Sequence, residues 1–304
     1  MVLSKIKNYG ELVMFSHSLF SLPFGIVAAV WAYGGLPPID VSFYIMLALF
    51  SARLGANAFN RIADRVIDAN NPRTANRHLP SGAICLNEAV AICLVCLVGV
   101  VAAAFMLNAT AVVLLPVAGV LILGYSYTKR FTWACNFILG IACACAPLGA
   151  WVAINGSPSF FGPVVTLLFG WVSVVPVVLA LAVCFYVAGF DIVYAIQDIN
   201  TDREQNICSF PGRFGAGVSV AASSVSHFLA VLFLFSLHFI MGRGPFYVAA
   251  VLIMAVMLFL QNYTAYKIYC KKLHSYKQSF FATYNVNRIN GACFLVFALL
   301  DALS

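Results

Sequence analysis

Charge is what this chain of 304 residues has least of: 9% of its residues are charged, and only ten are acidic. An ordinary soluble domain carries roughly a quarter. With 63% hydrophobic residues and a mean hydropathy of +0.96, that scarcity excludes a water-soluble domain. A signal-peptide cleavage site is also missing. The N-terminal "MVLSKIKNYGELVMFSHSLFSLPFGIVAAVWAYGG" has a basic flank, but its apolar run is too long and no small-residue site ends it, so it reads as a first membrane helix. Cysteine is present ten times, yet Cys93, Cys96, Cys135, Cys143, Cys145, Cys184 and Cys293 fall inside apolar runs, where neither disulfides nor a zinc site are expected.

What is there is a series of apolar runs near 12–34, 41–64, 87–107, 110–127, 132–154, 165–197, 216–241, 245–269 and 280–303. Each is long enough to cross about 30 Å of hydrocarbon as a helix. The expected fold is all-α, a polytopic bundle of nine transmembrane helices with capping loops, forming one domain over 1–304. The net charge of +7 does not point to nucleic acid, because the basic residues segregate by loop. Lys5, Lys7, Arg61, Arg65, Arg73, Arg77, Lys129, Arg130, Arg203, Arg213, Lys267, Lys271, Lys272 and Lys277 fall on one side of the membrane, and only Arg243 on the other. The positive-inside rule then puts the N-terminus and the charged loops in the cytoplasm, in an inner-membrane protein.

Half of the acidic residues gather in two stretches, "NAFNRIADRVIDANNPRTANR" with Asp64 and Asp68, and "GFDIVYAIQDINTDREQN" with Asp191, Asp198 and Asp202. Each closes an even-numbered helix at the cytoplasmic side. "YSYTKR" and "YTAYKIYCKK" close the fourth and eighth helices, a weak echo that suggests a duplicated four-helix unit. Asn60, Asp64 and Asp68 are spaced by four, as are Asp198 and Asp202, so on helices each set shares a face. Carboxylates about 6 Å apart repel by about 3 kcal/mol per pair at an effective dielectric near 20, and the negative ends of helix dipoles add to this. A cation is needed, and hard oxygen ligands suit Mg²⁺, which takes one or two carboxylates plus substrate phosphate. Arg73, Arg77, Lys129 and Arg130 in the adjoining loops are the groups a diphosphate requires. Arg53 and Asp191 each precede their motif by seven residues, about 10 Å deeper into the membrane. Ionisable groups at that depth are functional or paired, so they form either a lower layer of the site or a buried ion pair with each other.

"NRIADRVID" resembles the first aspartate-rich motif of the UbiA superfamily of intramembrane prenyltransferases, N-D-x-x-D-x-x-x-D, and "DIVYAIQDINTD" its second, D-x-x-Y-x-x-Q-D-x-x-x-D. "NPRTANRHLPSG", "YSYTKRFTW", "APLGAWVA" and "FPGRFG" resemble the 4-hydroxybenzoate polyprenyltransferase branch, so the likeness runs from about residue 10 to 300. It implies a central cavity in which Asn60, Asp64, Asp68, Asp198 and Asp202 hold Mg²⁺ on a polyprenyl diphosphate. Arg73, Tyr125, Lys129, Arg130 and Tyr194 would contact substrate, Arg53 would orient the carboxylate of an aromatic acceptor, and Asp191 would sit near its hydroxyl. Arg61 departs from the pattern, standing where the motif usually has an acidic or amide residue. Sequences with this departure resemble enzymes for 4-hydroxybenzoate and others for 1,4-dihydroxy-6-naphthoate in the futalosine route to menaquinone. The chain's 26 phenylalanines are candidates to line a prenyl groove or to face lipid. A divalent-cation transporter also needs intramembrane carboxylates, but would place them near the midplane with access from both sides. The D-G-x-x-A-R signature of CDP-alcohol phosphotransferases is absent.

Overall fold

A computed structural model describes residues 8–13, 21–156, 173–271 and 276–304, with the backbone alone over 276–285. Among the described residues the chain is all helical. The main helices are α1 (Leu22–Tyr33), α2 (Ile39–Ala69), α3 (Leu86–Leu107), α4 (Ala109–Thr128), α5 (Cys135–Asn155), α6 (Val174–Ala195), α7 (Phe210–Met241), α8 (Pro245–Ala265) and α9 (Tyr276–Leu303). Eight spans, counting the extensions of α6 and α8, are long and apolar enough to cross a membrane; α1 is apolar but has 12 residues. Part of the first expected span, residues 14–20, and the start of the sixth, 165–172, lie outside the described residues. Side chains such as Val95, Val120, Phe239 and Phe259 are about 70% exposed, as expected of faces turned to lipid. The protein is an integral membrane protein.

The helices outrun the apolar pattern at three places, and each bears on function. Helix α2 continues five residues past the expected end at 64, because Asp64 and Asp68 are themselves buried and bonded. Its 31 residues extend about 46 Å, so one end must leave the hydrocarbon layer. Helix α6 gives way to a 3₁₀ turn (Ile196–Asp198) and then a short helix (Ile199–Glu204). Asp198 and Asp202 therefore do not share one regular α-helix as their spacing suggests. Helix α7 starts six residues before the apolar run, at Pro211 in its first turn, and breaks at Gly215, whose φ of 78° suits glycine.

In lipid the hydrophobic effect does little to hold helices together, so close approach and polar contacts must do it. The glycines show where backbones meet. A Cβ on Gly140 of α5 would lie 2.3 Å from the Cys184 carbonyl oxygen of α6, and one on Gly55 of α2 2.9 Å from the Cys96 Cβ of α3. The polar fastenings are buried. Ser223 of α7 donates to the Gly189 carbonyl of α6 at 2.7 Å, Asn262 of α8 bonds His227 of α7 at 2.8 Å, and Asn287 of α9 donates to Gln261 of α8 at 3.2 Å. Around them Phe24, Leu179, Leu234, Met254 and Phe294 pack into one core shared by α1, α6, α7, α8 and α9.

Gly140→Val should therefore push α5 away from α6, lowering stability by about 1–3 kcal/mol and reducing the melting temperature in detergent. Gly149→Ala, on the same helix with nothing within 4 Å of the added carbon, should leave it unchanged or slightly raised.

Candidate functional site

The two acidic helix ends converge. Asn71 and Arg73, in the turns following α2, reach across to Asp198 beyond the end of α6. Arg73 is bidentate on that carboxylate, with Nε at 2.8 Å from Oδ1 and Nη2 at 2.5 Å from Oδ2, and its Nη1 donates to the Tyr194 hydroxyl at 2.7 Å. Asn71 donates to the same Oδ1 at 3.0 Å while its own carbonyl accepts from the Arg73 N–H, an Asx turn that sets the arginine's direction. Burial works to lower the Arg73 pKa, and the Asp198 contact outweighs it, so the pKa is raised.

Asp64 and Asp68 are held in the same manner. Lys129, the residue that caps α4, places Nζ 2.7 Å from Asp64 Oδ2, where Asn60 also donates at 2.9 Å. The Lys129 carbonyl accepts from Cys208 N at 2.7 Å, which ties the lysine to the loop before α7. Asp68 accepts from Arg77 Nη1 at 2.7 and 2.8 Å and from Arg61 Nη1 at 3.3 Å. The cation demanded by clustered carboxylates thus comes first from the chain itself, which the repulsion argument from sequence did not foresee. Asp202 is hydrogen-bonded by Ser209. Asp191, deeper, accepts from Asn136 Nδ2 at 2.8 Å. It forms no ion pair with Arg53, which donates to the Cys143 sulfur at 3.4 Å and keeps a buried Nε without a hydrogen-bond partner.

These side chains line one polar cavity of about 240 Å³. It brings together Arg53, Asn60, Asp64, Asp68, Arg73, Tyr125, Lys129, Asp191, Tyr194, Asp198 and Asp202. Arg130 stands apart: its Nη2 donates to the Ala63 carbonyl at 2.6 Å, lies 3.9 Å from Asp64, and its guanidinium covers the Tyr127 ring. The echo between the fourth and eighth helices does not extend to the site. Lys129 enters the cavity, whereas Lys267 and Lys271 stack on Tyr263 and Tyr266 of their own helix. Asn71, Asn136, Ser209, Tyr186 and Asn287 also line the cavity. Only Asn71, beside a proline, gave any signal in the sequence.

A second, apolar cavity of about 320 Å³ runs between α2, α3, α4 and α5. The two share Ser21, Arg53, Tyr125, Leu139 and Cys143, so they are continuous there. Its walls are Leu, Ala, Val, Ile and Gly with no phenylalanine, which leaves the phenylalanines to the core and the lipid face.

Among the described residues no three His, Cys, Asp or Glu side chains form a ready metal cage. The donors nonetheless fit Mg²⁺. They are hard oxygens, and the buried Asp64 Oδ1 has no hydrogen-bond partner, so it can complete a shell that water and a phosphate share.

The chain matches the UbiA prenyltransferase family over residues 21–285. It is 30% identical to the 4-hydroxybenzoate octaprenyltransferase of Marinomonas sp. (strain MWYL1), over 70% of this chain and 72% of that one. Its fold is similar to the apo structure of a UbiA homologue from Aeropyrum pernix K1, with a TM-score of 0.78, 30% identity, and coverage of 92% of this chain and 97% of that one. It is also similar to a UbiA homologue from Archaeoglobus fulgidus bound to DMAPP and Mg²⁺, with a TM-score of 0.70, 16% identity, and coverage of 97% and 99%. With most of its length matched and both aspartate-rich helix ends meeting at one cavity, this chain belongs to the UbiA prenyltransferase family.

Proposed function

We propose that the protein transfers a polyprenyl group from its diphosphate to a hydroxylated aromatic carboxylate, most simply 4-hydroxybenzoate, with Mg²⁺ as cofactor. The observation that carries this reading is the shared wall. A charged cavity suited to a diphosphate opens, at Arg53 and Tyr125, into an apolar cavity suited to a prenyl tail. The similarity to a 4-hydroxybenzoate octaprenyltransferase and to a structure bound to DMAPP and Mg²⁺ supports the substrate classes.

Asn60, Asp64, Asp198 and Asp202 would hold the metal, which when bound supplies Lewis-acid stabilisation of the departing diphosphate. Arg73 and Lys129 would turn from their carboxylates to the phosphate oxygens, where negative charge grows as the allylic C–O bond breaks. Tyr125 and Tyr194 would add hydroxyl donors, and Arg130 would close the rim. The apolar walls keep water from the allylic cation. Arg53, whose buried Nε lacks a partner, would fix the acceptor's carboxylate so that the carbon ortho to its hydroxyl faces the cation. Asp191, held by Asn136, would take the ring proton and restore aromaticity. Burying the tail moves it from lipid to protein, so groove shape rather than hydrophobic energy would set chain length. The charged mouth would face the cytoplasm, where both substrates are made.

Membranes containing the protein, supplied with Mg²⁺, a prenyl diphosphate and either 4-hydroxybenzoate or 1,4-dihydroxy-6-naphthoate, should yield a lipid-soluble prenylated acid, identified by mass. Asp64→Ala and Asp198→Ala should each abolish it. Arg53→Ala should raise the acceptor KM by about 10–100-fold, the worth of a hydrogen bond to a charged group, and change the prenyl diphosphate KM little. Full activity in the aspartate variants would refute the metal assignment.

The charges lining the polar cavity balance, with Arg53, Arg61, Arg73, Arg77 and Lys129 against Asp64, Asp68, Asp191, Asp198 and Asp202. Metal and diphosphate should therefore bind together. Removing Mg²⁺ with a chelator should weaken binding of a non-reactive prenyl thiolodiphosphate by at least about tenfold, and by linkage the analogue should tighten Mn²⁺ binding by the same factor. Calorimetry in detergent measures both; equal affinity with and without metal is the contrary result.

A further inference from the structure

The polar cavity is neutral as a whole but not corner by corner. Asp64 and Asp198 each meet one cavity-lining cation, Lys129 and Arg73. Asp68 meets two: Arg77 Nη1 touches both of its oxygens at 2.7 and 2.8 Å, and Arg61 Nη1 lies 3.3 Å from Oδ2. Asp202 is bonded by the Ser209 hydroxyl, and no cation is paired with it among the described residues. One edge of the mouth, at the end of α2, carries surplus positive charge, and the opposite edge, beyond α6, surplus negative charge.

Asp68 is also the most enclosed of the motif acids in its bonding. Both oxygens face guanidinium nitrogens, its side chain is only 8% exposed, and its backbone carbonyl accepts from Thr74 Oγ1 at 2.9 Å. Two guanidiniums on one carboxylate repel each other, an arrangement that persists only when the carboxylate and the fold hold both in place. Arg77 spends a single nitrogen, Nη1, on Asp68, while a guanidinium has five N–H donors in a rigid fork. Arg61 moreover stands where an acidic residue would add a metal-binding charge, and it reverses the sign at that point.

We propose that Asp68 is a bracket rather than a metal ligand: it aims Arg61 and Arg77 as a two-guanidinium seat for a phosphate group, the terminal phosphate of the diphosphate. The metal then occupies the opposite edge, between Asp64 and the Asp198–Asp202 segment, and the diphosphate lies across the mouth from negative edge to positive edge. This rests on the prenyl-diphosphate reading above and adds the orientation of that substrate. The same seat accepts the phosphate of released inorganic diphosphate, since the chemistry is shared.

The test uses the full chain in lipid nanodiscs. Dissociation constants are measured with Mg²⁺ for geranyl thiolodiphosphate, geranyl monophosphate and inorganic diphosphate, and bound Mn²⁺ is counted by electron paramagnetic resonance with the thiolodiphosphate at saturation. Arg61→Gln and Arg77→Gln should each weaken the thiolodiphosphate by about 10–100-fold, as expected for charge-assisted bonds, and leave the monophosphate unchanged. Arg61→Lys, which keeps the charge and the pairing with Asp68, should recover only part of the loss and serves if the glutamine variant does not fold. Asp68→Asn should weaken the thiolodiphosphate similarly and keep the wild-type number of Mn²⁺ ions. Weakening confined to inorganic diphosphate supports the seat and assigns it to the product. Loss of a Mn²⁺ ion in Asp68→Asn, or an unchanged thiolodiphosphate constant in both Arg61 variants, overturns the proposal. A wild-type chain that binds none of the three probes overturns the prenyl-diphosphate reading itself.

Discussion

Ionised groups can be buried near the membrane only if they arrive already compensated, and the rest of this structure follows from that constraint. A lone charge moved into protein loses several kcal/mol of solvation. Here five carboxylates and five cations line one cavity. The resting site is a set of ion pairs waiting to exchange partners. A prenyl diphosphate of about three negative charges joined to one Mg²⁺ is itself close to neutral, so it can enter without stranding charge: phosphate takes the guanidiniums and the ammonium, and the metal takes the carboxylates.

The constraint also explains how the helices are shared out. Helices α2 to α5 wall the apolar cavity, while the inward face of α6 and the segments beyond α2 and α6 supply much of the polar one. Arg53 lies on both walls because α2 runs the whole way from groove to mouth. Helices α7, α8 and α9 contribute few lining residues. Their buried Ser223–Gly189, Asn262–His227 and Asn287–Gln261 contacts brace α6 from behind, which keeps Asp191 and Asp198 in place against Asn136 and Arg73.

The spans were legible because an apolar run about 20 residues long has few alternatives to crossing a bilayer. The motif residues were legible because charge is so rare elsewhere that Asp64, Asp68, Asp198 and Asp202 stand out. Their partners were not. Asn136 and Ser209 look like any other polar residue near a helix end, and only the fold brings Asn136 to Asp191. Pairings such as Lys129 with Asp64 join residues 65 apart, and no period in the sequence encodes them. Arg130 illustrates the opposite failure. It is as basic as its neighbour and adjacent to it, but one residue further around the turn its guanidinium faces the Ala63 carbonyl and the Tyr127 ring instead.

The two motifs solve the same repulsion differently. On α2 the helix stays regular, so Asp64 and Asp68, four apart, remain on one face. Their mutual repulsion is offset by dedicated cations, Lys129 for one and Arg61 with Arg77 for the other. Beyond α6 cations are fewer and geometry does the separating. Had the α-helix continued, Asp191, Asp198 and Asp202 would have formed a column of like charges along one stripe. The tighter 3₁₀ turn at Ile196–Asp198 breaks that column. It turns Asp198 toward Arg73 and Asn71, leaves Asp202 to Ser209, and keeps Asp191 against Asn136. An uninterrupted helix there would need further arginines to bury the same three acids, and those arginines would compete with the metal for them. The irregular end of α6 is thus what lets one side of the mouth remain acidic enough to receive a cation while the other side holds the phosphate.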